Sequence, residues 1–402
     1  MSKSTLLKNT ADFVSERNSN ITPKIDDYIS TENLLPNKAG ITKATNMPIY
    51  VGSLPTYKPE DILISNIRPY LKKIWFSNKY GTCSSDVLIL RAKPEISPEF
   101  LYYSLFRDDF FNHIMKGVKG TKMPRGDKAQ MLEFAVPTFD LKTQQKIAAV
   151  LTALDAKIDC NNRINAELET MARALYDYWF VQFDFPDTNG NPYKTAGGKM
   201  TYNPTLKREI PAGWKVVRIN ELLQGCTDSI TAAKVMSGFP YTPIDALPMK
   251  KMSFGASQPA SEANTSLIKY KENDILIGAM RVYFHRVCIA PFDGITRTTV
   301  IVLRPKKSNY LPYLYQLCNE ERTINTASKI SVGTQQPYVN WEGALENHAI
   351  PYPEDDTLIE KYSTKMQSVV KDVINREREN AHLAQLRDWL LPLLMNGQVT
   401  PT

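Results

Sequence analysis

The side chains best suited to chemistry in this chain are bases and amides gathered in two short segments. "MKGVKGTKMPRGDK" sets Lys116, Lys119, Lys122, Arg125 and Lys128 in a stretch carrying three glycines and Pro124. Cationic groups beside open backbone N–H suit phosphate oxygens, and Thr121 or Arg125 has the reach for a base edge. "SVGTQQPYVNW" offers Thr334, Gln335 and Gln336, and a glutamine can bond adenine bidentately. Two further clusters follow strand-like runs: Arg68, Tyr70, Lys72 and Lys73, then Arg281, Tyr283, His285 and Arg286. Charge mixed with aromatic rings in this way fits DNA, and it also fits the capping of a sheet. A single basic loop is usually solvated surface, so their recurrence at equivalent places favours binding.

Catalytic patterns are sparse. "NPY" at Asn191–Tyr193 lacks the second proline, the apolar strand and the glycine-rich loop of an amino-methyltransferase. "AGGKM" lacks the first glycine and the Ser/Thr of a phosphate-binding P-loop. Pro186-Asp187 has no Glu-x-Lys strand after it and reads as a helix stop, opening a loop of turn formers that includes the other two segments. The five cysteines (Cys83, Cys160, Cys226, Cys288, Cys318) and four histidines are scattered, which excludes a disulfide frame and points away from a metal site.

The elements that must position these loops come from a chain of 402 residues, 43% hydrophobic and 23% charged, with net charge +7. That suits two or three globular domains. The apolar runs "IAAVLTAL" and "WLLPLLM" fall well short of the ~20 residues needed to cross a bilayer, and the first twenty residues have no signal-peptide core; a cytoplasmic protein is expected. The charge surplus sits in residues 1–140 (+4) and 206–353 (+5), against −2 for the remainder. Two anion-binding modules on a non-binding frame would give that distribution.

Those modules are copies. "YKPEDILIS" (57–65) returns as "YKENDILIG" (270–278), an offset of 213 residues. At the same offset Arg68 and Tyr70 match Arg281 and Tyr283, "VLILR" matches "VIVLR", and Gly120-Thr121-x-x-Pro124 matches Gly333-Thr334-x-x-Pro337. One offset holding across polar, apolar and turn residues is a domain duplication. Short strand signals with two helix-like stretches make each copy an α/β or α+β domain.

Behind each copy runs a heptad. The first seam is Ile147, Leu151, Leu154, Ile158, Asn161, Asn165, Leu168, Ala172, Leu175 and Trp179. Adding 215 gives Tyr362, Met366, Val369, Val373, Arg376, Asn380, Leu383, Arg387, Leu390 and Leu394. Both are apolar at the ends and polar in the middle, with Asn165 and Asn380 coincident. Two such helices pack as a coiled coil in which polar seam positions fix register. Arg387 fits a dry seam poorly, so either the pairing loosens there or Leu386 takes over. Pro392 and Gly397 mark the end of the second helix.

With "TQQPYVNWEGALENHAIPYP" (334–353) and "QQKIAAVLTALDAKIDCNNRINAELETMARALYDYWFVQFDF" (144–185), the chain resembles the specificity subunit of Type I restriction-modification systems. The resemblance implies a non-catalytic DNA reader. Two target recognition domains, 1–140 and 209–353, would be separated by an antiparallel helix pair, 141–186 and 354–402, with a linker at 187–208. It implies double-stranded DNA and two methyltransferase subunits as partners, and restriction subunits where the system has them. It implies no cofactor in this chain; S-adenosylmethionine, ATP and Mg would belong to the partners. The first copy lacks the Asn-Trp of Asn340-Trp341. Two other readings stay open: a self-contained DNA methyltransferase or nuclease, and a protein-binding assembly scaffold.

Overall fold

The computed structural model describes residues 3–18, 23–47, 52–118, 120, 123–231, 239–255, 257–263 and 267–401. The chain divides into two compact units, residues 1–156 with 384–402, and residues 157–383.

In the first unit, Ile62–Ser65 is a fully buried run, as an interior strand requires. It pairs antiparallel with Val87–Ala92 on one side and Ile74–Phe76 on the other, and Ala11–Phe13 completes the sheet. A second sheet orders Arg17–Asn18, Leu54–Tyr57, Gly81–Cys83 and Tyr28–Ile29. The helices Pro98–Phe106 and Asp108–Lys116 cover the first sheet with Phe100, Leu101, Phe110 and Ile114. Their sequence reads as one apolar helical run, but Arg107 is extended (ψ 148°) and divides it.

The second unit repeats this plan. Ile275–Gly278 lies between Val300–Pro305 and Val287–Ile289, with Leu223–Gly225 at the edge. A five-stranded sheet replaces the four-stranded one through the added strand Gln258–Pro259. Helices Leu311–Asn319 and Glu321–Lys329 follow, divided at Glu320 (ψ 146°) as their counterparts are at Arg107.

The twice-written phrase has a physical content. Asp61 is wholly buried, accepts the Lys58 N–H at 2.9 Å and takes the Arg91 guanidinium at 2.7 and 2.9 Å. Asp274 does the same with Lys271 (2.7 Å) and Arg304 (2.8 and 2.7 Å). A carboxylate is tolerated inside only with such a complete set of donors. Turn, acid and central strand form one device, and its partner is the arginine closing "VLILR" and "VIVLR".

The long helices are Leu141–Tyr176 and Thr357–Met395. The first, 36 residues, is about 54 Å long at ~1.5 Å per residue. In the second unit they run antiparallel. The Asn161 amide donates to Asn380 Oδ1 (2.9 Å), the Asn165 amide to Glu377 (3.0 Å), and the Tyr362 hydroxyl to the Ala172 carbonyl (2.9 Å). Met366, Val369 and Val373 are buried there with Leu168 and Leu175 against them; Ile158 and Leu383 are partly exposed. In the first unit Ile147 and Leu151 share a core with Leu394, and Leu390 packs beside it. Leu154 is half-buried. Arg387 keeps its seam position by pairing with Asp155 at 2.7 Å and stacking on Phe106, while Leu386 faces solvent. The helix also continues past Pro392 to Met395. Burial of Leu391, Leu394 and Met395 offsets the one lost N–H bond, and the left-handed Gly397 (φ 68°) ends it.

Candidate nucleic-acid interface

Beyond the buried strand of each copy, the chain must turn sharply without glycine. Arg68 (φ 53°) and Lys72 (φ 51°) bracket a 3₁₀ turn at Pro69–Leu71, and Arg281 (φ 48°) and His285 (φ 56°) bracket Val282–Phe284. Left-handed non-glycine residues cost of order 1–3 kcal/mol each and persist where surrounding bonds impose them. Here the bonds come from the loops. The Arg68 N–H donates to the Pro124 carbonyl at 2.8 Å and the Arg281 N–H to Pro337 at 2.7 Å. Ile67 bridges to Arg125, and Met280 to Tyr338. The fold therefore places Arg68 beside Arg125, and Arg281 beside Gln335, whose carbonyl lies 3.4 Å from its guanidinium.

Thr334, Gln335 and Gln336 are exposed at the tip of a small hairpin. Val332 and Tyr338 exchange N–H···O bonds of 2.8 and 2.9 Å at its base, and Gly333 (φ 97°) opens the turn. Trp341 lies over Gly225, so closely that an added Cβ would sit 2.5 Å from its ring. In the first copy the matching strand residue is Phe13, with the Lys128 ammonium 5.3 Å from its ring centre.

The other candidates divide by orientation. Tyr70 and Tyr283 are 50% and 55% exposed, free to stack or to meet a backbone. Arg125 is exposed beside Asp86 (3.1 Å). Lys72 pairs with Asp108 at 3.0 Å, as the equivalent His285 faces Glu321 at 3.6 Å. Lys73 donates to the Thr31 carbonyl, and burial lowers its pKa. Arg286 donates to the Leu247 carbonyl. Lys72, Lys73 and Arg286 thus brace the turn from within the domain. Lys119, Thr121 and Lys122 lie outside the described residues. Sequence reading passed over the exposed rings of Phe284 and Tyr338; the repeat held a signal for Tyr338, which occupies the place of Arg125.

The helix-stop and turn readings agree with the geometry: the long helix has ended before Pro186, and residues 188–197 run as turns and bends. Asp187 caps the Asn189 and Asn191 N–H groups at 2.8 Å, and Tyr193 stacks on Phe185 at 4.7 Å. Among the described residues no cluster of His, Cys, Asp and Glu could hold a metal, and no helix is long and apolar enough to cross a membrane.

Comparison with known proteins agrees with this arrangement. The Type I restriction modification DNA specificity domain matches residues 8–170. The MjaIX Type I restriction enzyme specificity subunit of Methanocaldococcus jannaschii is 26% identical over 76% of this chain and 70% of its own length. The HindI specificity subunit of Haemophilus influenzae is 33% identical over 39% of this chain and 36% of its own. The crystal structure of the Type I S subunit from M. genitalium shares the fold, with a TM-score of 0.54 and 17% identity, covering 98% of this chain and 96% of that one. With a duplicated domain, paired long helices and a DNA-compatible loop cluster in each copy, the chain is similar to the specificity subunits of Type I restriction-modification systems.

Proposed function

We propose that the chain reads an asymmetric, two-part DNA site, one half with residues 1–140 and the other with 209–353. The observation that carries this reading is the repeated turn. Each copy holds a left-handed arginine against a loop, and the loops differ in chemistry: guanidinium at Arg125, carboxamides at Gln335 and Gln336. Equal scaffolds with unequal loops suit two half-sites of unequal sequence. The chain is itself non-catalytic. Its helices, 141–186 and 354–402, dock two methyltransferase subunits and set the gap between half-sites, and 187–208 links the halves. S-adenosylmethionine, ATP and Mg act in the partner subunits, in the cytoplasm.

Mapping methylated adenines in cells that carry the partner methyltransferase, with and without this chain, tests the reading. Two defined half-sites at fixed spacing are expected only when the chain is present. Methylation by the purified chain alone would overturn it. Deleting four residues within Ile158–Asn165 should change the gap or abolish assembly while leaving both half-sites intact.

A further inference from the structure

Within the second unit, a cleft of about 310 Å³ lies between the end of the central helix, the strand Arg208–Pro211 and the start of helix Glu321–Lys329. The helix ends there in a π-helical turn, Asp177–Val181, a distortion common at functional places. The cleft has an aromatic wall: the Phe180 ring centre is 5.3 Å from Tyr176 and 4.8 Å from Tyr313. Arg173, Arg208 and Arg322 line it, together with the carboxylates of Asp177, Glu320 and Glu321. Arg208 is fixed by donating to the Val181 carbonyl at 3.0 Å. Arg173 and Arg322 are exposed and, among the described residues, form no ion pair within 4 Å.

Two polar groups reach the interior. Glu320 accepts the Tyr176 hydroxyl at 3.1 Å. Gln316 is only 4% exposed, lines the cleft and has no side-chain hydrogen-bond partner among the described residues. Its amide atoms are not among the buried unsatisfied ones, so they open into the cleft and can bond what enters it. The first copy reverses the charges: Arg107, Asp109 and Asp388 stand where the second has Glu320, Arg322 and Arg173, and Arg107 pairs with Asp109. The arginine cluster is not a requirement of the fold.

We propose that this cleft binds a nucleoside phosphate. Arg173, Arg208 and Arg322 take the phosphate, aided by the open N–H groups at the start of Glu321–Lys329. The base lies against Tyr176, Phe180 and Tyr313, with Gln316 and Glu320 along its edge. The volume suits a ligand of that size. The site is separate from the DNA-reading loops and stands or falls independently of them.

Calorimetry on the full chain with a nucleoside monophosphate, the nucleoside alone and inorganic phosphate tests this. The monophosphate should bind, and each fragment should bind about tenfold or more weakly. Arg173→Gln and Arg322→Gln should each reduce affinity about tenfold. Both residues are exposed, so the thermal midpoint without ligand should hold. Absence of nucleotide binding at millimolar concentration, or unchanged affinity in the folded double variant, overturns the proposal. A Gln316→Leu variant that loses affinity for the monophosphate but not for inorganic phosphate would support the assigned base position.

Discussion

The two copies are built alike where they bury charge and differently where they meet solvent. Asp61–Arg91 and Asp274–Arg304 match atom for atom, and the left-handed arginines match within a few degrees of φ. Beside them the packing is exchanged. In the first copy an aromatic ring rises from the edge strand as Phe13 and the short helix Lys128–Leu132 supplies Lys128; in the second the strand is bare at Gly225 and the loop supplies Trp341. One place in the fold is filled from opposite sides. The missing Asn-Trp in the first copy is therefore a compensated change, and a loop can change chemistry while its seat stays filled.

The largest expected effect breaks what the copies share. Arg91→Ala and Arg304→Ala should each cost about 3–5 kcal/mol, because each leaves a buried carboxylate uncompensated. Urea unfolding followed by hydrogen exchange should place each loss in its own unit; unequal losses would mean the two devices are not equivalent. Next comes the exchanged packing. Gly225→Phe should destabilise by about 1–3 kcal/mol through overlap with Trp341, and Trp341→Lys on that background should recover most of it. A double-mutant cycle with no coupling would refute the exchange.

Specificity should separate the copies further. Gln335→Ala or Gln336→Ala should relax only the second half-site, by about 1–3 kcal/mol for each bidentate base pairing removed. Methylome sequencing that showed altered bases in the first half-site would count against that assignment. Arg125→Gln should have a smaller effect, lowering the salt dependence of DNA binding by about one unit of slope if Arg125 meets a phosphate.

A last contrast concerns pH. In the second unit burial raises the pKa of Glu169 and Glu320 to about 7. Glu169 accepts the Met252 N–H at 3.0 Å and also feels Lys251, Glu377 and Arg173. Glu320 faces Tyr176, Thr323, Arg322 and Arg208. Folded, these carboxyls hold protons that the unfolded chain releases near its ordinary value of about 4.5. Their contribution is therefore greatest at low pH and is lost as pH rises from about 4.5 through about 7. Exchange protection of residues 157–383 should decline across that window, and Glu169→Gln should flatten the decline.

Much of this was legible in the chain. The offset of 213 residues survived because a buried strand with its acid and its arginine tolerates few substitutes, and the heptad survived because a helix seam imposes a period. The seam nonetheless misled at Arg387, since periodicity cannot see Asp155 waiting across it. The candidate site was legible only as composition. Arg68, Tyr70, Lys72 and Lys73 look alike in sequence, yet Tyr70 is exposed while Lys72 and Lys73 brace the turn from inside.

The sequence by itself determined that there are two copies, that long helices follow each, and that basic and amide loops recur at matching places. These are properties of pattern, carried by residue type and spacing. Only the tertiary structure decided which bases are spent on internal carbonyls and carboxylates, that Gly225 and Phe13 are exchanged against Trp341 and Lys128, and that three arginines line one cleft with Gln316. Those depend on residues distant in the chain becoming neighbours, and hydrogen bonds act over a few ångströms of space, whatever the separation in sequence.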